Sequence, residues 1–127
     1  MTIQSALYSQ LSTYAGLIAL VSTRTYPGAA PDTVADPYCV FFQVSRRPVY
    51  THQGATGLSE YRMQVSCFAK TYDSVKAIAA QVELAMEAWM AANSNVQACF
   101  LDDEQDINEE ESEYYHVPLD FLVQYGE

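Results

Sequence analysis

Residues 101 to 115, LDDEQDINEEESEYY, hold Asp102, Asp103, Glu104, Asp106, Glu109, Glu110, Glu111 and Glu113, eight carboxylates with no Lys or Arg among them. A stretch this rich in oxygen could ligate calcium, which takes about six to eight oxygens. In the frame of an EF-hand loop beginning at Asp102, the ligand positions fall on Asp102, Glu104, Asp106, Asn108, Glu110 and Glu113. The frame fails at its pivot. Ile107 stands where the sharp turn needs glycine, and Glu109 stands at a position that is usually apolar. The flanks also read as strands rather than helices. A solvated acidic hairpin between two strands is the expectation, with weak condensation of Mg²⁺ or Ca²⁺ as its only metal chemistry. Paired carboxylates doing acid–base work need a pocket that separates their pKa values, and nothing in this run indicates one.

The remaining chemistry-bearing residues are few. His52 and His116 lie far apart and in no metal-ligand spacing, so both read as surface or interface residues. Cys39, Cys67 and Cys99 are odd in number and make no CxxC pair, which argues against a disulfide framework or a zinc site. Each sits in an apolar run, where a free Cys behaves as a small buried hydrophobe, as suits a reducing compartment during folding. No GxSxG elbow or phosphate-binding loop appears; GATG (54–57) has no Lys and precedes a strand. No catalytic residue, metal site or cofactor is assigned.

The elements that must carry these residues follow from composition and periodicity. The 127 residues are half hydrophobic and carry a formal net charge of -10, which suits one folded domain with an acidic, soluble surface. That charge repels phosphate and argues against tight nucleic-acid binding. GLIALV (16–21) is too short to span a membrane, and no signal peptide is recognisable at the start.

Ile3, Leu7, Leu11 and Tyr14 follow helical spacing over 2–14 behind a possible Thr2 cap. Gly16 interrupts, and LIALVS continues as a turn or second helix. YPGAAPDTVADP (26–37) reads as an extended connection, YCVFFQVS (38–45) as a strand, and RRPVYTHQGATG as a long hairpin loop or arm. In SEYRMQVSCF, Tyr61, Met63, Val65 and Cys67 point one way and Glu60, Arg62, Gln64 and Ser66 the other. Thr71 caps the strongest helix, whose stripe is Val75, Ile78, Ala79, Val82, Met86 and Trp89. VQACFL (96–101) is a third strand. In the fourth, Tyr115, Val117, Leu119, Phe121, Val123 and Tyr125 share a face, and Pro118 puts it at an edge or a bulge.

The expectation is an α+β fold in the order α-β-β-α-β-β, a largely antiparallel four-stranded sheet with helices packed on one face. Arg46 and Arg47 would then form a basic patch apart from the acidic hairpin, and head-to-tail contacts could join the two between copies.

Four stretches, in this order, carry a resemblance: LYSQLSTYAGLIALVSTRTYPGAAP, PYCVFFQVS, YRMQVSCFAKTYDSVKAIAAQVELAM and FLDDEQDINEEESEYYHVPLDFLVQY. Together they resemble the tail-completion, or head–tail joining, proteins of long-tailed bacteriophages, a group that overlaps tail terminators. The resemblance implies one domain over 1–127 and a homohexameric ring at the head-proximal end of the tail. Its implied partners are the tail tube protein and the head connector protein, with DNA passing through without specific binding and no membrane contact. It implies a virion component, made in the host cytoplasm, with no catalysis and no cofactor. Candidates for a subunit interface or a DNA channel are Arg46, Arg47, Tyr50, His52, Asp102, Asp103, Glu104, Asp106, Glu109, Glu110, Glu111 and Glu113. The alternative is a small acidic divalent-metal-binding or regulatory module.

Overall fold

The computed structural model describes residues 2–31, 35, 37–51, 53–109 and 114–126, with positions 55 and 109 described by backbone alone. Helix α1 (Ile3–Thr13) starts where Thr2 Oγ1 accepts the Ser5 N–H at 3.2 Å. The break after it falls at Tyr14, in extended backbone, so Gly16 lies inside α2 (Ala15–Val21) rather than between the helices. The long helix α3 (Tyr72–Ala92) begins in the same way, with Thr71 Oγ1 accepting the Ser74 N–H at 3.2 Å. Such caps satisfy an otherwise orphaned N–H and contribute about 1 kcal/mol each.

The strands are β1 (Thr25–Pro27), β2 (Tyr38–Thr51), β3 (Gly54–Ala69), β4 (Val96–Glu104), β5 (Ile107–Glu109) and β6 (Tyr114–Gly126). They form one sheet in the order β1-β2-β3-β6-β4, with β5 also on β6. The sheet is mixed. β1 runs parallel to β2, and the other pairs are antiparallel. The expected four-stranded antiparallel sheet therefore gains two short strands. β1 was hidden because three residues cannot show an alternation, and Gly28 at φ +79 ends it with its N–H donated to Phe41 O. β5 was hidden because its residues were read for charge, whereas a ladder is made by backbone groups.

Pro118 is not at an edge: β6 lies between β3 and the pair β4 and β5. Pro118 O accepts from Gln105 N–H at 3.2 Å, and a strand residue's N and O point to the same side. The missing donor of Pro118 thus faces the gap between β4 and β5, where no strand ladder needs it. Tolerance came from a break in the neighbouring strand.

One face of the sheet carries the core. Tyr61, Met63, Val65 and Cys67 of β3, with Val117, Leu119, Phe121, Val123 and Tyr125 of β6, are buried against α1, α2 and α3. From α3 come Val75, Ile78, Ala79, Val82, Ala85, Met86 and Trp89, the expected stripe with Ala85 added. Trp89 stacks on Tyr125 with ring centroids 6.5 Å apart. Among the described residues no helix covers the opposite face, and the polar half of each alternation lies on it.

Candidate functional site: the open sheet face and its two edges

The open face takes its side chains from the phase of each strand opposite the buried one, among them Glu60, Arg62, Gln64 and Ser66 on β3 and His116, Asp120, Leu122 and Gln124 on β6. In the middle, Arg62 Nη1 lies 2.8 Å from Asp102 Oδ2 and 3.4 Å from Asp120 Oδ2. Gln64 Nε2 donates to Asp120 Oδ1 at 2.9 Å. The hydrogen bond that Arg62 donates to Asp102, more than the Coulomb attraction of the two carboxylates, raises the guanidinium pKa. These pairs lie in solvent, so their role is to fix side chains in a row across the face rather than to hold the fold.

The described part of the acidic stretch is exposed and links antiparallel neighbours, as expected of a solvated hairpin, but more of it is strand than expected. Asp102, Asp103 and Glu104 belong to β4, which extends past Leu101. Lys76 of α3 reaches Glu104 Oε2 at 3.3 Å and Asp106 Oδ1 at 3.0 Å, and Tyr72 OH donates to Asp106 Oδ2 at 2.9 Å. Lys76 first and Tyr72 second hold the Asp106 carboxyl below its ordinary range. Asp103 Oδ2 accepts from Gln105 Nε2 at 2.8 Å. The run itself contains no base, but the fold brings Arg62 and Lys76 to it. Glu109 is placed by its backbone in β5, while Glu110, Glu111 and Glu113 lie outside the described residues, as does His52. Among the described residues no group of three or more His, Cys, Asp or Glu side chains could hold a metal ion.

Arg46, Arg47 and Tyr50 lie on β2, at the other side of the sheet from the acids. Arg46 pairs across to Tyr61, and its guanidinium stands 5.9 Å from that ring's centre, on the helix-covered side. Arg47 pairs across to Glu60 and belongs to the open face. Tyr50 is 67% exposed. Of the expected long hairpin loop or arm, the structure forms the arm, because β2 and β3 keep pairing as far as Thr51 and Gly54.

β1 covers β2 only from Cys39 to Phe41, so the edge of β2 from Phe42 onward has no strand partner among the described residues. β4 is the opposite edge.

Sequence reasoning missed an aromatic stack at one end of the open face. Tyr38 stacks on Phe68 at 4.8 Å, and Phe68 stacks on His116 at 4.2 Å. They border a cavity of about 520 Å³ under Gly28 to Pro31. Phe68 and His116 sit in the polar phase of their strands, and an aromatic out of phase was the available signal.

The chain matches the family described as tail completion protein gp17 over residues 5–126, and it belongs to that family. It is accordingly a structural protein of the bacteriophage virion, with its place in the tail. No curated protein sequence matches it. Among solved structures it is similar to a chain of the virion of a native gene transfer agent particle, at 20% identity and a TM-score of 0.81, covering 98% of this chain and 95% of that one. At that identity the likeness speaks for the fold. No helix among the described residues is long and apolar enough to cross a membrane.

Proposed function

We propose that this single-domain protein forms a homohexameric ring at the head-proximal end of the tail, where it ends the tail tube and joins it to the head connector. Membership of the tail completion family carries the reading. The open sheet face faces the channel, and DNA passes without specific binding. A chain of net charge -10 suits that task, since a negative lumen repels phosphate and lets the duplex slide. The role is structural, without catalysis or cofactor. The metal-binding alternative loses ground because Asp102, Glu104 and Asp106 are already engaged by Arg62, Lys76 and Tyr72.

Native mass spectrometry across concentration, with and without Mg²⁺, tests the ring. A six-fold species supports it, and a stable dimer or tetramer counts heavily against it. In particles lacking the protein, heads and tails should accumulate unjoined; normal joined particles would remove the assignment.

A further inference from the structure

The sheet has two long edges without strand partners among the described residues, β2 from Phe42 onward and β4. Their directions are opposite: β2, β3, β6 and β4 alternate, each antiparallel to the next. A rotation that sets β2 of one copy beside β4 of the next continues that alternation unbroken. We infer that the ring, on the reading above, closes by this pairing, with a second copy of the chain as the occupant of each edge and Arg47 of one copy opposite Asp103 of its neighbour.

Two pairs of charges select the register. Arg46 and Arg47 lie on opposite faces, since Arg46 pairs with buried Tyr61 and Arg47 with Glu60. Asp103 and Glu104 do the same: Asp103 pairs with Asp120 on the open face, and Glu104 pairs with buried Leu119 and reaches Lys76 of α3. One antiparallel register therefore sets Arg47 against Asp103 on the open face and Arg46 against Glu104 on the helical face. The two most exposed large hydrophobic side chains among the described residues, Tyr50 at 67% and Phe100 at 64%, lie on the same two edge strands.

The geometry closes as well. Within one copy, Arg47, Glu60, Gln124 and Ala98 share a cross-strand row, and Asp103 pairs with Asp120 past the bulge in β4, so setting Arg47 against Asp103 staggers the neighbour by the four residues from Gln124 to Asp120. At about 3.3 Å per residue that is about 13 Å, against about 19 Å for four strands spaced about 4.8 Å apart. The strands then tilt by about 35°, at the lower end of the range of about 35–45° seen in closed barrels. Six copies would bring 24 strands around a barrel of radius about 22 Å, wide enough to line a channel.

Pro48 and the irregularities at Gln43/Ser45 and Pro48/Tyr50 interrupt a plain ladder on β2. Such features guard an edge against indiscriminate pairing, and they leave side-chain charge to choose the partner.

Cysteines at the two positions test the register: Arg47→Cys with Asp103→Cys, in a Cys99→Ser background, oxidised mildly and run on a non-reducing gel. The pairing expects a ladder reaching six copies, absent from either single-cysteine variant. A six-fold species in native mass spectra that gives no ladder overturns the edge pairing and leaves the ring standing. Dimers alone on the gel overturn the head-to-tail arrangement. Monomers by both methods, in solution and in particles, overturn the ring and this inference with it. As a second readout, Arg47→Asp or Asp103→Arg alone should abolish the six-fold species, and the double swap should restore it; a swap that restores nothing counts against the contact.

Discussion

Lys76 Nζ, from the second turn of α3, lies 3.0 Å from Oδ1 of Asp106, in the gap between β4 and β5. This contact pins the acidic edge of the sheet to the helical layer, with Tyr72 on the other carboxylate oxygen. Its pH dependence has two limbs. Asp106 has a folded pKa below its ordinary 3.8, so its contribution is present above that value and is lost as pH falls through the folded one. Lys76 is raised above 10.5, chiefly by the Asp106 hydrogen bond, so its contribution is present below that value and is lost as pH rises through the folded one. Asp106→Asn should lower Tm across the plateau between these limits, with the gap to the parent closing at both ends. Thermal melts across pH check it, and a gap that stays constant in strong acid means that the ion pair is not the cause.

Ser22 ends α2 at φ 54, ψ -124, while its N–H donates to Ile18 O at 2.8 Å. A side chain in that region is strained, and glycine adopts it freely. Ser22→Gly should raise stability by about 1 kcal/mol, which is a Tm gain of about 4 °C for a chain of this size. Denaturant titration at an unchanged m-value is the check. An unaltered or lowered midpoint would show that the backbone at this position carries no strain.

The elements legible from sequence are those whose pattern is local. The α3 stripe and its Thr71 cap repeat over many residues, and the alternation of Tyr61 to Cys67 or Val117 to Tyr125 is long enough to fix both strand and face. What was not legible depends on partners distant in sequence. Thr25–Pro27 is a strand because the backbone of β2 lies beside it, and Pro118 is tolerated inside the sheet because Gln105 and Asp106 break the neighbouring strand. The site was half legible for the same reason. The acids of 102–106 were visible as a run, but their bases, Arg62 and Lys76, come from a strand and a helix distant in sequence.

Cys39 and Cys67 face each other across β2 and β3, both fully buried, with sulfurs 4.0 Å apart. The Cys39 N–H donates to Arg24 O, away from β3, so the two residues form a non-hydrogen-bonded pair, whose side chains approach closely. The hydrogen bond between them and their burial push the Cys67 thiol well up, and burial pushes Cys99 up to about 12. Alkylation follows the thiolate and its access. All three thiols should therefore resist iodoacetamide at neutral pH in the folded protein and react once it is denatured. Mass spectrometry of the labelled protein counts them; rapid native labelling of Cys39 or Cys67 would mean that the β2–β3 pair opens at its base.

The acids beyond β4 decide between channel and interface. Glu109, Glu110 and Glu111 add three carboxylates just past an edge where Asp103 and Glu104 are proposed to meet the arginines of the next copy. If this end of the hairpin faces the channel, reversing all three to Lys leaves the six-fold species intact, because no subunit contact is touched. DNA release then slows, because phosphate now meets attraction where it met repulsion, and the slowing weakens as salt screens it. If the hairpin end packs against Arg46 and Arg47 of a neighbour, the same reversal sets like charges together and the six-fold species is lost before DNA enters the question. Native mass spectra and DNA release from complemented particles, measured on the same variant, separate the two. Hexamers and infectious particles that form and release DNA unchanged would deny both roles to these residues and confine the working charge to Asp102, Asp103 and Glu104.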